Sequence, residues 1–154
     1  MKDIVVLQGG NSPEREVSLT SAKAVTDELR RLGYQVTELD PSDFPVLGDL
    51  LTQLDILKPD MIFNALHGGT GENGEIQALL ELTGYSFTGS AAKACVLTMD
   101  KYVCKLIVRE EGIPVPDSVL MRYDMLSDYN DPSDYQGFVD KLSLPLIVKP
   151  VDAG

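Results

Sequence analysis

The sequence is poor in basic residues, in cysteine and in long apolar runs, and each shortage excludes a class of protein. Thirteen Lys and Arg stand against 24 Asp and Glu, so the net charge is -11. Phosphate-rich partners need clustered basic side chains, so we do not expect nucleic acid or an anionic membrane as the main partner. No apolar run approaches the roughly 18 residues that indicate a membrane span.

Only two cysteines are present, Cys95 and Cys104, and they form no CxxC motif. His67, the single histidine, is the only residue that could join them as a soft-metal ligand. We interpret them as buried free thiols in a reducing compartment, with a disulfide or a zinc site as the alternative. The N-terminal apolar run is too short for a secretory signal peptide, so we expect a cytoplasmic protein.

Four short apolar segments alternate with three amphipathic ones in the first 90 residues. Strands are expected over 4–7, 35–39, 60–66 and 85–88, and helices over 17–32, 47–57 and 76–82. This alternation predicts a parallel sheet covered by helices on both faces. A length of 154 residues provides one core and part of another.

From about residue 90 the pattern changes. Residues 91–111 predict one long helix, or two that meet near Asp100, with Gly112 as the end. A proline-containing link, a short helix over 135–142 and a strand over "LPLIVKP" then indicate the start of an α+β unit. We predict two domains, residues 1–90 and 91–154. The second lacks the strands to complete a sheet, so we expect the chain to be a segment of a longer protein.

Two glycine-rich turns follow the first and third predicted strands, and the carboxyl ends of parallel strands meet at one edge of a sheet. The first turn leads to Glu14, and the second begins at His67. A glutamate there can bind a ligand ammonium group or remove a proton, although it can also complement a helix dipole. The histidine can donate to a carbonyl or carboxylate oxygen, although a lone histidine is often structural.

Residues 69–74, "GTGENG", fit the GxGxxG pattern between a strand and a helix. That pattern is typical of a dinucleotide site, but Glu72 inside it would repel phosphate. The acidic residue that binds ribose is also missing about twenty residues further on, so this interpretation is a minor alternative. Lys149 is a candidate for binding an anion such as phosphate, since a lysine that ends a buried apolar strand costs desolvation unless it meets one. Lys101 lies on a predicted helix, where the alternative is an ordinary solvated charge.

Taken together, six segments resemble the N-terminal part of the D-alanine–D-alanine ligases of the ATP-grasp superfamily. In order they are "GGNSPEREVSLTSA", "FNALHGGTGENGEIQALLEL", "YSFTGS", "MDKYVCK", "GIPVP" and "LPLIVKP". The resemblance implies an α/β, Rossmann-like pre-ATP-grasp domain that binds substrate, followed by an incomplete α+β ATP-grasp subdomain. One departure is Asn73, where the family usually has aspartate.

The resemblance also implies an activity: ATP-dependent joining of two D-alanines through an acyl phosphate, with Mg²⁺, for peptidoglycan synthesis. Glu14 would contact the ammonium of the first D-alanine, Val17 would lie against it, and His67 would lie beside its carboxylate. Lys101 and Lys149 would contact ATP phosphates, and the metal ligands would lie beyond residue 154. The chain by itself would be inactive, and a homodimer is expected from the family.

Three alternatives stay open. The second substrate could be D-lactate or D-serine instead of D-alanine. A module with the same fold could also bind its ligand without catalysis.

Overall fold

The structure is a computed structural model that describes residues 2–121, 137 and 140–152. Its strands are β1 (Asp3–Leu7), β2 (Gln35–Leu39) and β3 (Met61–Asn64). Its helices are α1 (Arg15–Arg31), α2 (Leu47–Leu57), α3 (Glu75–Thr83), α4 (Ala92–Met99) and α5 (Lys101–Glu110). Two 3₁₀ turns, Pro41–Asp43 and Gly69–Gly71, follow β2 and β3.

The three strands form a parallel sheet in the order β2-β1-β3, as the alternating pattern predicts. In the central strand β1, Ile4 pairs with Val36 of β2 and with Met61 of β3. Neighbouring β1 residues face opposite sides of the sheet, and both sides are buried. The sheet is therefore covered on both faces, which explains why β1 is apolar throughout.

The two faces carry separate cores. On one face Val5 and Leu7 pack with residues of α2 and α3, which are Leu50, Leu54, Ile76 and Leu80. On the other face Ile4 and Val6 pack with α1, in which Ala22 is fully buried. The three helices are amphipathic because each buries one stripe of side chains against the sheet.

Residues 85–88 do not form the predicted fourth strand. Phe87 makes one isolated parallel bridge to Ile62, beside β3. The next backbone N–H along β3, that of Asn64, donates to the Thr88 hydroxyl at 3.0 Å instead of to a carbonyl. The hydrogen-bond ladder between β3 and this segment ends at that point. The segment itself is flanked by Gly84 and Gly89, which both have a left-handed backbone. The position of the segment is as predicted, but its pairing is too short to count as a strand.

The long helical stretch after residue 90 is two helices, because Asp100 has an extended backbone with ψ of 103°. Contacts group the chain into one compact unit of residues 1–100 and 152–154 and another of residues 101–151. The break between units comes ten residues after the predicted domain boundary at residue 90. Helix α4 belongs to the first unit and packs on α3: a Cβ added at Gly74 would lie 2.7 Å from Val96 Cγ2.

In the second unit, the prediction of a strand over 144–150 is wrong. These residues have no strand pairing within the described part of the chain, and Ile147 and Val148 are 79% and 94% exposed. An apolar β-branched run forms a strand only where a neighbouring strand offers hydrogen bonds, and the described residues supply none. The predicted helix over 135–142 falls mainly outside the described residues. Among the helices described, none has the length and apolar character needed to cross a bilayer.

Candidate functional site

The two glycine-rich turns line one cleft of about 400 Å³ in the first unit. Residues 9–14, after β1, form one side of it, and residues 66–71, after β3, form the other. Glu14 and His67 both line this cleft. Glu14 and His67 therefore lie together, as expected for residues that follow the carboxyl ends of neighbouring parallel strands.

Gly9 and Gly10 are required by the shape of the first turn. Their φ angles are +73° and +76°, a region that residues with a Cβ rarely adopt. A Cβ added at Gly9 would overlap the Asp40 carboxylate and lie 2.6 Å from Arg15 Nη1. The glycines therefore let a carboxylate from the end of β2 approach the turn directly.

Asp40 is the centre of a polar network that supports this turn, and sequence reasoning missed it. Its buried carboxylate pairs with Arg15 Nη2 at 2.6 Å and accepts from the Gly10 N–H at 3.0 Å. It also accepts from the N–H and hydroxyl of Ser42, at 2.9 and 2.7 Å. Burial alone would raise the pKa of Asp40, but Arg15, Ser42 and Gly10 together hold it below its usual value.

Two serines tie the first turn to the segment after β3. The buried Ser18 hydroxyl accepts from the Gly9 N–H and donates to the Ala65 carbonyl, both at 2.8 Å. The Ser12 hydroxyl donates a short hydrogen bond to the carbonyl of His67. Sequence analysis did not single out either serine. The sequence holds one signal that could have identified Ser18: it is a polar residue on the apolar face of α1, four positions before Ala22.

Glu14 lies just before α1, and its side chain reaches across the cleft. A Cβ added at Gly68 would lie 2.6 Å from Glu14 Oε2, so the carboxylate rests against the backbone of the second turn. Within residues 2–121 and 140–152, no group hydrogen-bonds to this carboxylate. A half-buried anion without a partner is suited to bind a cationic group of a ligand.

The imidazole of His67 has a polar neighbour at each nitrogen. Nε2 lies 3.2 Å from the hydroxyl of Ser21, and Nδ1 lies 4.0 Å from Glu72 Oε1. The side chain is 37% exposed, so the ring is held on one side and accessible on the other. It can therefore offer a hydrogen bond to an oxygen that enters the cleft.

The other predicted site residues do not line the cleft. Val17 is on the first turn of α1 and is 53% exposed. Lys101 and Lys149 belong to the second unit. There the N–H of Lys101, the first residue of α5, donates to the Val151 carbonyl at 2.9 Å, which places it near the segment that contains Lys149.

The GxGxxG segment is held by side-chain amides. The Gly71 carbonyl accepts from Asn64 Nδ2 at 3.0 Å and from Gln77 Nε2 at 2.6 Å. Asn73 Oδ1 accepts from the N–H of Glu75 at 3.0 Å, so the residue that departs from the family pattern closes an Asx turn just before α3, whose N-cap is Gly74. An aspartate at this position could accept the same bond and would add a charge to it. The occupied N–H of Glu75 and the nearby acidic Glu72 both disfavour a phosphate at this helix end, which weakens the dinucleotide alternative.

Cys95 and Cys104 are both free and partly buried, and burial raises the pKa of the Cys95 thiol. Over the part of the chain that is described, no cluster of three His, Cys, Asp or Glu side chains could hold a metal ion. The described residues therefore offer no cluster of ligands for Mg²⁺.

Residues 47–90 match the family described as D-ala D-ala ligase N-terminus. Over 154 residues the chain is 44% identical to a D-alanine–D-alanine ligase of Coprothermobacter proteolyticus, and the match covers 99% of the chain and 47% of that relative. The structure resembles a crystal structure of the Bacillus anthracis D-alanine–D-alanine ligase at a TM-score of 0.75 and 30% identity, covering 100% of this chain and 47% of that one. It also resembles the VanG D-Ala:D-Ser ligase of Enterococcus faecalis, with a TM-score of 0.70, 28% identity and coverage of 99% and 53%. The chain thus spans about half the length of the proteins that it matches.

Proposed function

Because the chain belongs to the D-alanine–D-alanine ligase family, we propose that it supplies the site for the first D-alanine in an ATP-dependent ligase. The observation that carries this proposal is the single cleft in which Glu14 and His67 lie on facing turns. An amino acid presents an ammonium group and a carboxylate on the same carbon. A site for it therefore needs an anion and a hydrogen-bond donor close together.

Glu14 is the group that we assign to the ammonium. Its carboxylate has no partner among the described residues, and it is held against Gly68 by the close approach of the two turns. Binding a cation there replaces solvent with a charge-assisted hydrogen bond, which is about twice as strong as a neutral one. Val17 lies on the first turn of α1, does not line the cleft and is half exposed. We assign it to the methyl group of the ligand, which it would contact through its exposed face.

His67 is the group that we assign to the carboxylate. In the reaction of the whole enzyme, a carboxylate oxygen of the first D-alanine attacks the γ-phosphate of ATP and ADP leaves. The amine of the second D-alanine then attacks the acyl phosphate and displaces phosphate. A donor fixed beside the carboxylate stabilises the negative charge that builds up there.

Lys101 and Lys149 are assigned to the phosphates of ATP on the family resemblance and on their charge. Both lie in the second unit, where the N–H of Lys101 donates to the carbonyl of Val151, two residues after Lys149. The described residues hold no cluster of side chains that could bind Mg²⁺. In this proposal residues 1–90 serve the amino acid, residues 91–154 begin the nucleotide-binding part, and the whole protein works in the cytoplasm as a homodimer.

A D-alanine–D-serine ligase is the second candidate, because the VanG D-Ala:D-Ser ligase has the same fold over 99% of this chain. The cleft described here receives the first D-alanine in both cases. The choice of second substrate is tested by supplying D-serine or D-lactate in place of part of the D-alanine and identifying the product.

The proposal is tested by Glu14→Gln in the complete gene product, with D-alanine-dependent release of ADP as the assay. Loss of a hydrogen bond to a charged group lowers kcat/KM for D-alanine by about tenfold to 150-fold. The matched control is Glu16→Gln, which changes an exposed neighbour that does not line the cleft and should leave kcat/KM unchanged.

Two results would contradict the proposal. Glu14→Gln could retain full activity with an unchanged melting temperature, which would remove Glu14 from the site. Alternatively, the wild-type protein could bind D-alanine but release no ADP, which would make it a binding module without catalysis.

A further inference from the structure

The imidazole of His67 lies between two oxygen groups of different hydrogen-bonding capacity. At Nε2 the neighbour is the hydroxyl of Ser21, at 3.2 Å, which can donate or accept. At Nδ1 the neighbour is the carboxylate of Glu72, at 4.0 Å, which can only accept when ionised. The two neighbours therefore give the two tautomers of the neutral ring different energies.

A proton on Nε2 would leave the lone pair of Nδ1 directed toward a negative carboxylate, which is repulsive. A proton on Nδ1 directs the N–H dipole toward Glu72 and lets the Ser21 O–H donate to the lone pair of Nε2. We infer that neutral His67 carries its proton on Nδ1 and that Ser21 is the positioning residue that fixes this tautomer and the plane of the ring. A partner at one ring nitrogen commonly sets the protonation of the other.

The position of Ser21 is itself fixed by the fold. Ser18 and Ser21 are three residues apart on α1 and so lie on one face of the helix. Ser18 bonds the Ala65 carbonyl and the Gly9 N–H from a fully buried position. The backbone of His67 is held in turn by the hydroxyl of Ser12. These hydrogen bonds tie helix α1 to the segment that carries His67 and place the hydroxyl of Ser21 beside the ring.

This arrangement has a consequence for the ligand, which rests on the proposed function. The 4.0 Å between Nδ1 and Glu72 is too long for a hydrogen bond, so the Nδ1 proton stays available to an entering oxygen. A D-alanine carboxylate is such an oxygen. Without the hydroxyl of Ser21 the ring can turn or exchange tautomers, and a smaller fraction of molecules then presents the donor.

The first test is nitrogen NMR of the histidine ring in the complete protein, at a pH where the ring signals have stopped changing. The signals of His67 are those absent from His67→Gln. In the wild type we expect a protonated Nδ1 and an unprotonated Nε2. Ser21→Ala should shift both signals toward the values of a tautomer mixture, whereas Ser21→Thr, which keeps a hydroxyl, should restore the wild-type pattern.

Two further variants keep the test decisive even if Ser21→Ala folds poorly. Glu72→Gln removes the acceptor-only carboxylate, so it should also move the ring toward a mixture. Thr20→Ala removes the neighbouring hydroxyl of α1, which bonds the Glu16 carbonyl and does not reach His67, so it should leave the ring signals unchanged. A protonated Nε2 in the wild type, or ring signals that neither Ser21→Ala nor Glu72→Gln alters, would overturn the inference.

The second test separates this inference from the proposed function. Ser21→Ala should lower kcat/KM for D-alanine by roughly threefold to tenfold, the effect of losing one neutral hydrogen bond, and Ser21→Thr should recover most of it. Equal losses in both variants would point to packing and would overturn the positioning role. If the NMR pattern is as expected and no variant or wild type releases ADP, the tautomer stands and the ligase proposal fails.

Discussion

Removal of the Asp40 carboxylate should loosen the turn that carries Glu14 and should destabilise the protein. In Asp40→Ala the buried N–H of Gly10 loses its acceptor, which costs about 1–3 kcal/mol. Ser42 loses two bonds at a partly exposed site, each contributing at most about 1 kcal/mol. The side chain of Arg15 is 40% exposed and its charge returns to water, so we assign it no contribution. The sum is a loss of about 1–5 kcal/mol in the free energy of unfolding.

The loss should depend on pH in a definite direction. The pKa of Asp40 is lower in the folded protein than its usual value, so the ionised carboxylate stabilises the fold at neutral pH. That stabilisation begins to fall as the pH drops below about 4, the usual value of an aspartate, and is lost below the folded pKa. The stability difference between wild type and Asp40→Ala should therefore be large at pH 7 and should shrink by about pH 3.

Urea unfolding followed by circular dichroism at both pH values measures this difference. Asp43→Ala is the control: Asp43 is exposed in the same 3₁₀ turn, so its substitution should change stability by less than about 0.5 kcal/mol. Asp40→Asn keeps an oxygen acceptor without the charge, so an intermediate loss is expected. A change below about 0.5 kcal/mol for Asp40→Ala at pH 7, or an equal change at both pH values, would refute the reasoning.

Three glycine substitutions test the arguments about the backbone and the cleft. Gly48→Ala, in α2, meets nothing closer than Val46 Cγ2 at 4.0 Å and has no positive φ, so it should raise the free energy of unfolding by about 0.4–1 kcal/mol. Gly33→Ala, with equally open space but φ of +89°, should lower it by about 1–2 kcal/mol, and the opposite sign would contradict the strain argument. Gly68→Ala should displace the carboxylate of Glu14 and raise the KM for D-alanine in the ADP-release assay. An unchanged KM would show that the cleft tolerates the methyl group.

The helices and strands of the first unit could be predicted because their signals are local. The apolar period of α2 and the β-branched run of β2 give the observed bounds, 47–57 and 35–39, and left-handed glycines end α1 and α3. The strand predictions at 85–88 and 144–150 failed for a common reason. A strand exists through hydrogen bonds to a neighbouring strand, and the apolar pattern of a segment does not say whether that neighbour is present for its full length.

Some features of the cleft could likewise be predicted from the sequence, and others appear only in the tertiary structure. Topology alone brought Glu14 and His67 to one edge of the sheet, because parallel strands in alternation with helices leave their carboxyl ends side by side. Asp40, Ser18 and Ser21 could not be found along the chain, since each acts on a residue that lies 9 to 47 positions away. A buried hydroxyl or carboxylate gains its role only when a distant backbone group or ring is packed against it. The sequence by itself thus determined the helices and the three paired strands of the first unit and the edge that carries the site. Only the folded chain decided which polar side chains hold Glu14 and His67 in place.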